Sequence, residues 1–227
     1  MATVVPFEQR VMDCEQGSPE WFAARSGCVT SSRIADVVAK RKRVKDGEIG
    51  EELACRRDMR YELMVELLTG NATQHYVSEW MKQGRDREPI ARVEYEIATD
   101  LSVKTVGFVY HPFIKRAGAS PDGLVGDDGL LEIKCPAVHT HVDYLLKGEI
   151  PSEYKPQMLW QMACCERSWC DFVSYSPEVP EKYQLFVRRY ECSKEDAALI
   201  RGYELEVEYF NKQVDEMLTD LKSRFSA

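Results

Sequence analysis

Residues 117–136 read Ala-Gly-Ala-Ser-Pro-Asp-Gly-Leu-Val-Gly-Asp-Asp-Gly-Leu-Leu-Glu-Ile-Lys-Cys-Pro. The Gly-Asp-Asp-Gly at 126–129 is a turn signal between two short apolar runs and predicts a β-hairpin. Centring the turn on Asp127 and Asp128 sets Asp122 roughly opposite Glu132 to Ile133. Side chains alternate along a strand, so Glu132 and Lys134 share one face and Ile133 takes the other. Two carboxylates and an ammonium then converge on one small patch.

Such a patch suits a hard divalent cation. Mg²⁺ takes oxygen ligands, commonly one or two carboxylates together with substrate phosphate. A neighbouring lysine can orient or deprotonate an attacking water, or neutralise charge developing on phosphorus. By themselves the three residues leave a second reading open, a surface hairpin closed by a structural salt bridge.

The wider pattern separates the two. Pro121-Asp122, nine residues, then Glu132-Ile133-Lys134 resembles the PD-(D/E)XK nuclease signature. Ser120-Pro121-Asp122-Gly123 with Leu131-Glu132-Ile133-Lys134-Cys135-Pro136 is similar, more narrowly, to the lambda-type phage recombination exonucleases of the YqaJ-like viral recombinase family. Near the amino end, Trp21-Phe22-Ala23-Ala24-Arg25 followed by Val29-Thr30-Ser31-Ser32 resembles that family's W-x3-R and [IV]-T-[AG]-S segments. Order and spacing agree from about residue 15 to 190.

The resemblance implies an α/β (α+β) fold with a PD-(D/E)XK restriction-endonuclease-like core, a mixed β-sheet flanked by helices, formed by residues 1–227 as one exonuclease domain. The implied activity is Mg²⁺-dependent, 5′-to-3′ digestion of one strand of linear duplex DNA from 5′-phosphorylated ends to mononucleotides. It leaves a 3′ single-stranded tail for recombination by annealing. Two Mg²⁺ ions are implied, with Mn²⁺ able to substitute. The alternatives are another PD-(D/E)XK nuclease, endonucleolytic or of the iron–sulfur helicase-linked type, and, further off, a non-catalytic DNA-binding protein on the same fold.

Residue roles carry over one at a time. Asp122, Glu132 and the Ile133 carbonyl are implied metal ligands, and Lys134 works on the water. Gly84-Arg85-Asp86-Arg87-Glu88 resembles the family's G-x3-E, which makes Glu88 a catalytic candidate. Pro89 after it means that a helix there either kinks or starts. In Tyr154-Lys155-Pro156-Gln157-Met158-Leu159-Trp160-Gln161 the resemblance assigns Gln157 to the active site; Gln161, four residues on, shares its helix face. Arg25, Ser32 and Ser120 are implied to grip the 5′-terminal phosphate. A guanidinium fork, hydroxyls and a helix start at Thr30-Ser31-Ser32 suit that anion. Met81 aligns with a residue that wedges between the last base pairs. An ordinary N-cap, a surface ion pair and a core methionine are the plainer readings for Ser32, Arg25 and Met81.

Net charge is −8, which by itself argues against DNA binding. Lys40-Arg41-Lys42-Arg43-Val44-Lys45 nevertheless holds five basic residues in six beside the implied phosphate pocket, so Arg41, Lys42 and Arg43 are candidate DNA contacts. The resemblance reconciles the two, because the family forms a homotrimeric ring whose acidic outside can surround a basic channel. A single-strand annealing recombinase is the implied partner. Met1 to Arg10 is neither basic at its start nor continuously apolar, and no run approaches about eighteen apolar residues. A soluble protein in the cytoplasm of a bacterial host is therefore expected, without membrane association. The eight scattered cysteines are then reduced thiols. Neither Cys164, Cys165, Cys170 and Cys192 nor Cys135, His139 and His141 reproduces a cluster or zinc spacing.

Periodicity and punctuation predict helices at 19–25, 31–40, 51–69, 75–98, 152–166 and 193–224. Strands are predicted at 103–110, 115–119, 122–125, 130–135, 169–175 and 183–191.

Overall fold

The computed structural model describes residues 4–39, 52–73 and 79–225, apart from the side chains of Trp80 and Met81. A short helix α1 (Phe7–Arg10) and strand β1 (Val11–Met12) precede α2 (Pro19–Arg25). Helix α2 starts where Ser18 accepts the Trp21 N–H and Pro19 fills the first turn. Strand β2 (Val29–Thr30) leads through a 3-10 turn (Ser31–Arg33) into α3 (Ile34–Val37). Helix α4 (Ala54–Thr69) stops at Gly70 in the left-handed conformation, φ 70°. Helix α5 (Glu79–Thr99) runs through Pro89 without a break in its helical assignment.

Next come β3 (Val103–Lys104), β4 (Phe108–Tyr110), β5 (Ala117–Ala119), β6 (Gly123–Val125) and β7 (Gly129–Lys134). Helices α6 (Val138–Lys147) and α7 (Lys155–Cys165) then cross to β8 (Trp169–Tyr175), followed by β9 (Leu185–Glu191) and the long α8 (Lys194–Phe225). Two mixed sheets result, ordered β1-β4-β5-β2 and β3-β6-β7-β8-β9. The parallel pairs are β2 with β5 and β7 with β8; the α6–α7 crossover supplies the length that the second pair requires.

The hairpin registers Gly123 against Leu131 and Val125 against Gly129, so Asp122 lies beside Glu132. Its two faces enter different packing layers. Leu131 and Ile133 meet Ala91 and Tyr95 of α5, while Leu130 joins Met158 and Leu159 of α7 in the larger core. Glu132 therefore enters the α7 side of the sheet with 1 % of its surface exposed.

The sequence-based map needs correction at several places. The strand expected over 103–110 divides into β3 and β4, which belong to different sheets. Gly107 lies at the division, where a Cβ would come within 2.5 Å of the Cys14 carbonyl oxygen, so the chain there is pressed against the segment after β1. The strand expected from 115 begins at Ala117, because Arg116 takes φ 55°. The helix expected over 31–40 opens as a 3-10 turn and its α-helical part ends at Val37. Helix α6 had no counterpart in the sequence reading.

Candidate active site

The hairpin and α7 together bind the Glu132 carboxylate on both oxygens. Gln157 Nε2 donates to Oε1 at 2.6 Å, Gln161 Nε2 donates to Oε2 at 2.6 Å, and Lys134 Nζ lies 2.5 Å from Oε1. The i, i+4 spacing of the glutamines places both amides over one strand position. Tyr154 stacks on Phe172 and presents its ring to Lys134 Nζ at 5.2 Å. Burial opposes charge on Lys134, but Glu132 and Asp122 overcome it and hold the amine above its ordinary value.

Asp122 Oδ2 accepts the Ile133 N–H at 2.6 Å, which ties the first carboxylate to the second strand. Its pKa is pushed well up by burial, then by the charges of Glu132 and Glu88; Lys134 and the Ile133 N–H oppose the rise only partly. Glu88, on α5, is also raised, by burial first and by Glu132 among the nearby charges, although Arg92 Nη2 donates to it at 2.8 Å. The site thus gathers three carboxyls and resists ionising all of them.

That surplus of acid is what an oxygen-seeking cation would offset. Among the described residues no group of three or more His, Cys, Asp or Glu side chains is placed to cage a metal. Two carboxylates and the Ile133 carbonyl nonetheless fit Mg²⁺, which keeps waters and uses substrate phosphate for its remaining ligands. The donor set excludes a thiolate or imidazole centre. His141 is fully buried between Ser174 Oγ and the Tyr183 carbonyl, at 2.8 Å each, and Cys164, Cys165 and Cys170 pack in the apolar core.

Arg25 occupies the other end. Its guanidinium lies 4.0 Å over the Trp21 ring and donates to Ser120 Oγ at 3.1 Å, and Trp21 Nε1 donates to the same hydroxyl at 2.9 Å. Among the described residues Arg25 makes no ion pair, and burial lowers its pKa to about 10, which leaves it charged at neutral pH. Ser32 is exposed and lies 3.3 Å from Thr30 Oγ1. One cavity of about 930 Å³ is lined by Arg25, Thr30, Ser32, Arg85, Glu88 and Asp122 among others, so it connects this end with the acids.

Sequence reasoning missed two contacts. Trp21 was noted only as part of a motif, yet it carries Arg25 and reaches Ser120; its position four residues before Arg25 on α2 was the available signal. Gln161 stood only as a less certain partner of Gln157, with no contact assigned to it, whereas it holds the second oxygen of Glu132. Arg41, Lys42 and Arg43 lie outside the described residues, as does the side chain of Met81, whose backbone is in α5.

The profile of the YqaJ-like viral recombinase domain matches residues 20–168. An alkaline exonuclease from Laribacter hongkongensis is 42% identical, with 91% of this chain and 97% of that chain covered and a TM-score of 0.80. The same relative in complex with dAMP matches equally, at 42% identity and TM-score 0.80 over the same shares of the two chains. A phage related exonuclease from Haemophilus somnus 129PT shares the fold at 16% identity and TM-score 0.62, over 84% of this chain and 96% of that one. No curated protein sequence matches. With the family matched over residues 20–168 and a relative 42% identical across 91% of this chain, the protein belongs to the YqaJ-like viral recombinase family, of the lambda-exonuclease type.

Proposed function

We propose that this protein is a phage-type recombination exonuclease that degrades one strand of linear duplex DNA, 5′ to 3′, from a 5′-phosphorylated end, releasing mononucleotides and leaving a 3′ single-stranded tail. The observation that best supports the reading is the cluster of Asp122, Glu132 and Lys134, whose Asp122 lines the same cavity as Arg25, an arginine with no ion pair among the described residues. A nucleotide strand presents phosphates at regular spacing, and the two ends of the cavity suit two of them. The relative solved with dAMP, a nucleoside monophosphate, is consistent with that product class.

In this mechanism Arg25 binds the terminal phosphate through its planar fork of donors, with Ser32 and Ser120 adding hydroxyls. The Trp21 ring beneath and the Ser120 hydroxyl beside it restrict the guanidinium to one direction. Asp122, Glu132 and the Ile133 carbonyl would hold Mg²⁺, with two ions and replacement by Mn²⁺ included in the proposal. When bound, the metal stabilises charge on the attacking and leaving oxygens. Lys134 orients the attacking water or deprotonates it, the latter only after giving up the proton that Glu132 and Asp122 hold on it, while Glu88 and Gln157 position the water and the Glu132 carboxylate. Glu132 fixes the Lys134 amine within the acid cluster.

The proposal extends to a homotrimeric ring, to contacts of Arg41, Lys42, Arg43 and Met81 with DNA, and to a partner that anneals the tail. It places the chain, as one nuclease domain, in the cytoplasm of a bacterial host. No described helix is long and apolar enough to cross a membrane. The test is linear duplex phosphorylated at one 5′ end only, incubated with Mg²⁺. Loss of the phosphorylated strand with release of mononucleotides is expected; cleavage of closed circles, or loss from the 3′ end, would overturn the reading.

A further inference from the structure

Glu132 meets three donors, and they are unevenly shared. Among the described residues Oε1 receives Gln157 and Lys134, which uses both of its lone-pair directions, whereas Oε2 receives Gln161 alone. Oε2 is therefore the oxygen with a direction left for a cation, and Gln161 is the group that sets where that direction points.

Gln161 is poorly explained as packing. It is 0% exposed, among Met158, Leu159 and Met162 on the same helix, and its own Oε1 has no hydrogen-bond partner. Turning the amide over would direct that oxygen at the Glu132 carboxylate, so the observed orientation is the favourable one. An amide buried with an unsatisfied oxygen costs stability, and an apolar side chain of similar length would fill the space without that cost. What the amide adds is the bond to Glu132.

We propose that Gln161 is a positioning residue for divalent-metal binding, fixing the orientation of the Glu132 carboxylate through its bond to Oε2. The inference deepens the nuclease reading and rests on Glu132 being a metal ligand. Partners that orient a metal's ligands typically change affinity by about ten- to a hundredfold when removed.

The experiment is calorimetric titration of the DNA-free protein with Mn²⁺, comparing wild type, Gln161→Met and Gln161→Asn, with thermal unfolding followed alongside. Gln161→Met keeps length and volume but cannot donate; Gln161→Asn keeps the amide one methylene short. Both are expected to bind Mn²⁺ about ten- to a hundredfold more weakly while unfolding cooperatively. The Mg²⁺ concentration for half-maximal hydrolysis should rise in step, with the rate largely recovered at saturating metal. Unchanged Mn²⁺ affinity in either folded variant, beside a wild type that binds, overturns the role of Gln161 alone. A wild type that takes up no Mn²⁺ removes Glu132 as a ligand, and this inference with it.

Discussion

The acid–lysine cluster, which meets the cavity at Asp122 and Glu88, and the arginine at its other end solve opposite electrostatic problems. At the acidic end every charged group has a partner: Glu132 holds Lys134 and two glutamines, Asp122 holds a backbone N–H, and Glu88 holds Arg92. At the other end Arg25 has an aromatic face and one hydroxyl but, among the described residues, no carboxylate. A half-buried cation left in that state costs free energy until an anion arrives. The first end is arranged to keep its geometry through a reaction, the second to gain most when a ligand binds. Substitutions at the two ends should therefore fail differently, in turnover at one and in choice of DNA end at the other.

The largest effect is expected from Lys134→Ala. Removing a proton-transferring group typically costs about 10²- to 10⁴-fold, so hydrolysis should fall by that order while duplex binding persists. Single-turnover cleavage beside a binding measurement separates the two; a wild-type rate would take the lysine out of the chemistry. Arg25→Ala should act on the other quantity. Charge-assisted hydrogen bonds contribute about 1.5–3 kcal/mol each, so the preference for 5′-phosphate over 5′-hydroxyl ends should shrink about ten- to a hundredfold. An unchanged ratio would break the assignment of the two ends.

The difference between the ends also has a pH signature. In the folded protein Asp122 and Glu88 hold protons more tightly than carboxyls in an unfolded chain. Their contribution to stability is thus fully present below the ordinary carboxyl range of about 4 and is lost as pH rises through their raised folded-state values. Each group has a limiting slope of about 1.4 kcal/mol per pH unit. Arg25, at about 10, stays charged through that window and adds no slope. Melting curves in chelator should therefore fall more steeply with pH for wild type than for Asp122→Asn, and added Mg²⁺ should offset the fall. Parallel curves would show that the acids do not strain the metal-free fold.

What was legible in the sequence follows the same division. The acidic end is largely local. Asp122, Glu132 and Lys134 lie within one hairpin, and a turn signal plus two-residue alternation is enough to bring them together. The phosphate end is built across the chain, since Ser120 meets Trp21 and Arg25 over separations of 99 and 95 residues. No periodicity encodes such a meeting, and only the resemblance pointed to it. The division of 103–110 between two sheets escaped for a related reason. Its cause is the approach of the Cys14 backbone to Gly107, which is a tertiary contact rather than a local preference. Helix α6 is amphipathic but only 10 residues long, with Ala137 at its N-cap making no side-chain cap and no acidic residue in its first turn, so the usual start signals are missing.

Ser120→Ala tests the contrast most finely. The hydroxyl accepts from both Trp21 Nε1 and Arg25 Nη1, but Trp21 Nε1 also reaches the Gly107 carbonyl at 3.1 Å and keeps that bond in the variant. The ring under Arg25 should therefore stay in place, and what is lost is the lateral restraint on the guanidinium together with the hydroxyl's own bond to the phosphate. One neutral acceptor is worth about 0.5–1.5 kcal/mol, so the 5′-phosphate preference should fall a few-fold, well short of the Arg25→Ala effect, with turnover at saturating DNA nearly unchanged. A loss as large as that of Arg25→Ala would mean that the guanidinium cannot grip the phosphate without the Ser120 hydroxyl, and that Trp21 alone does not set its direction. A fall in turnover instead would mean that the two ends of the cavity are mechanically coupled, and the division between them would no longer hold.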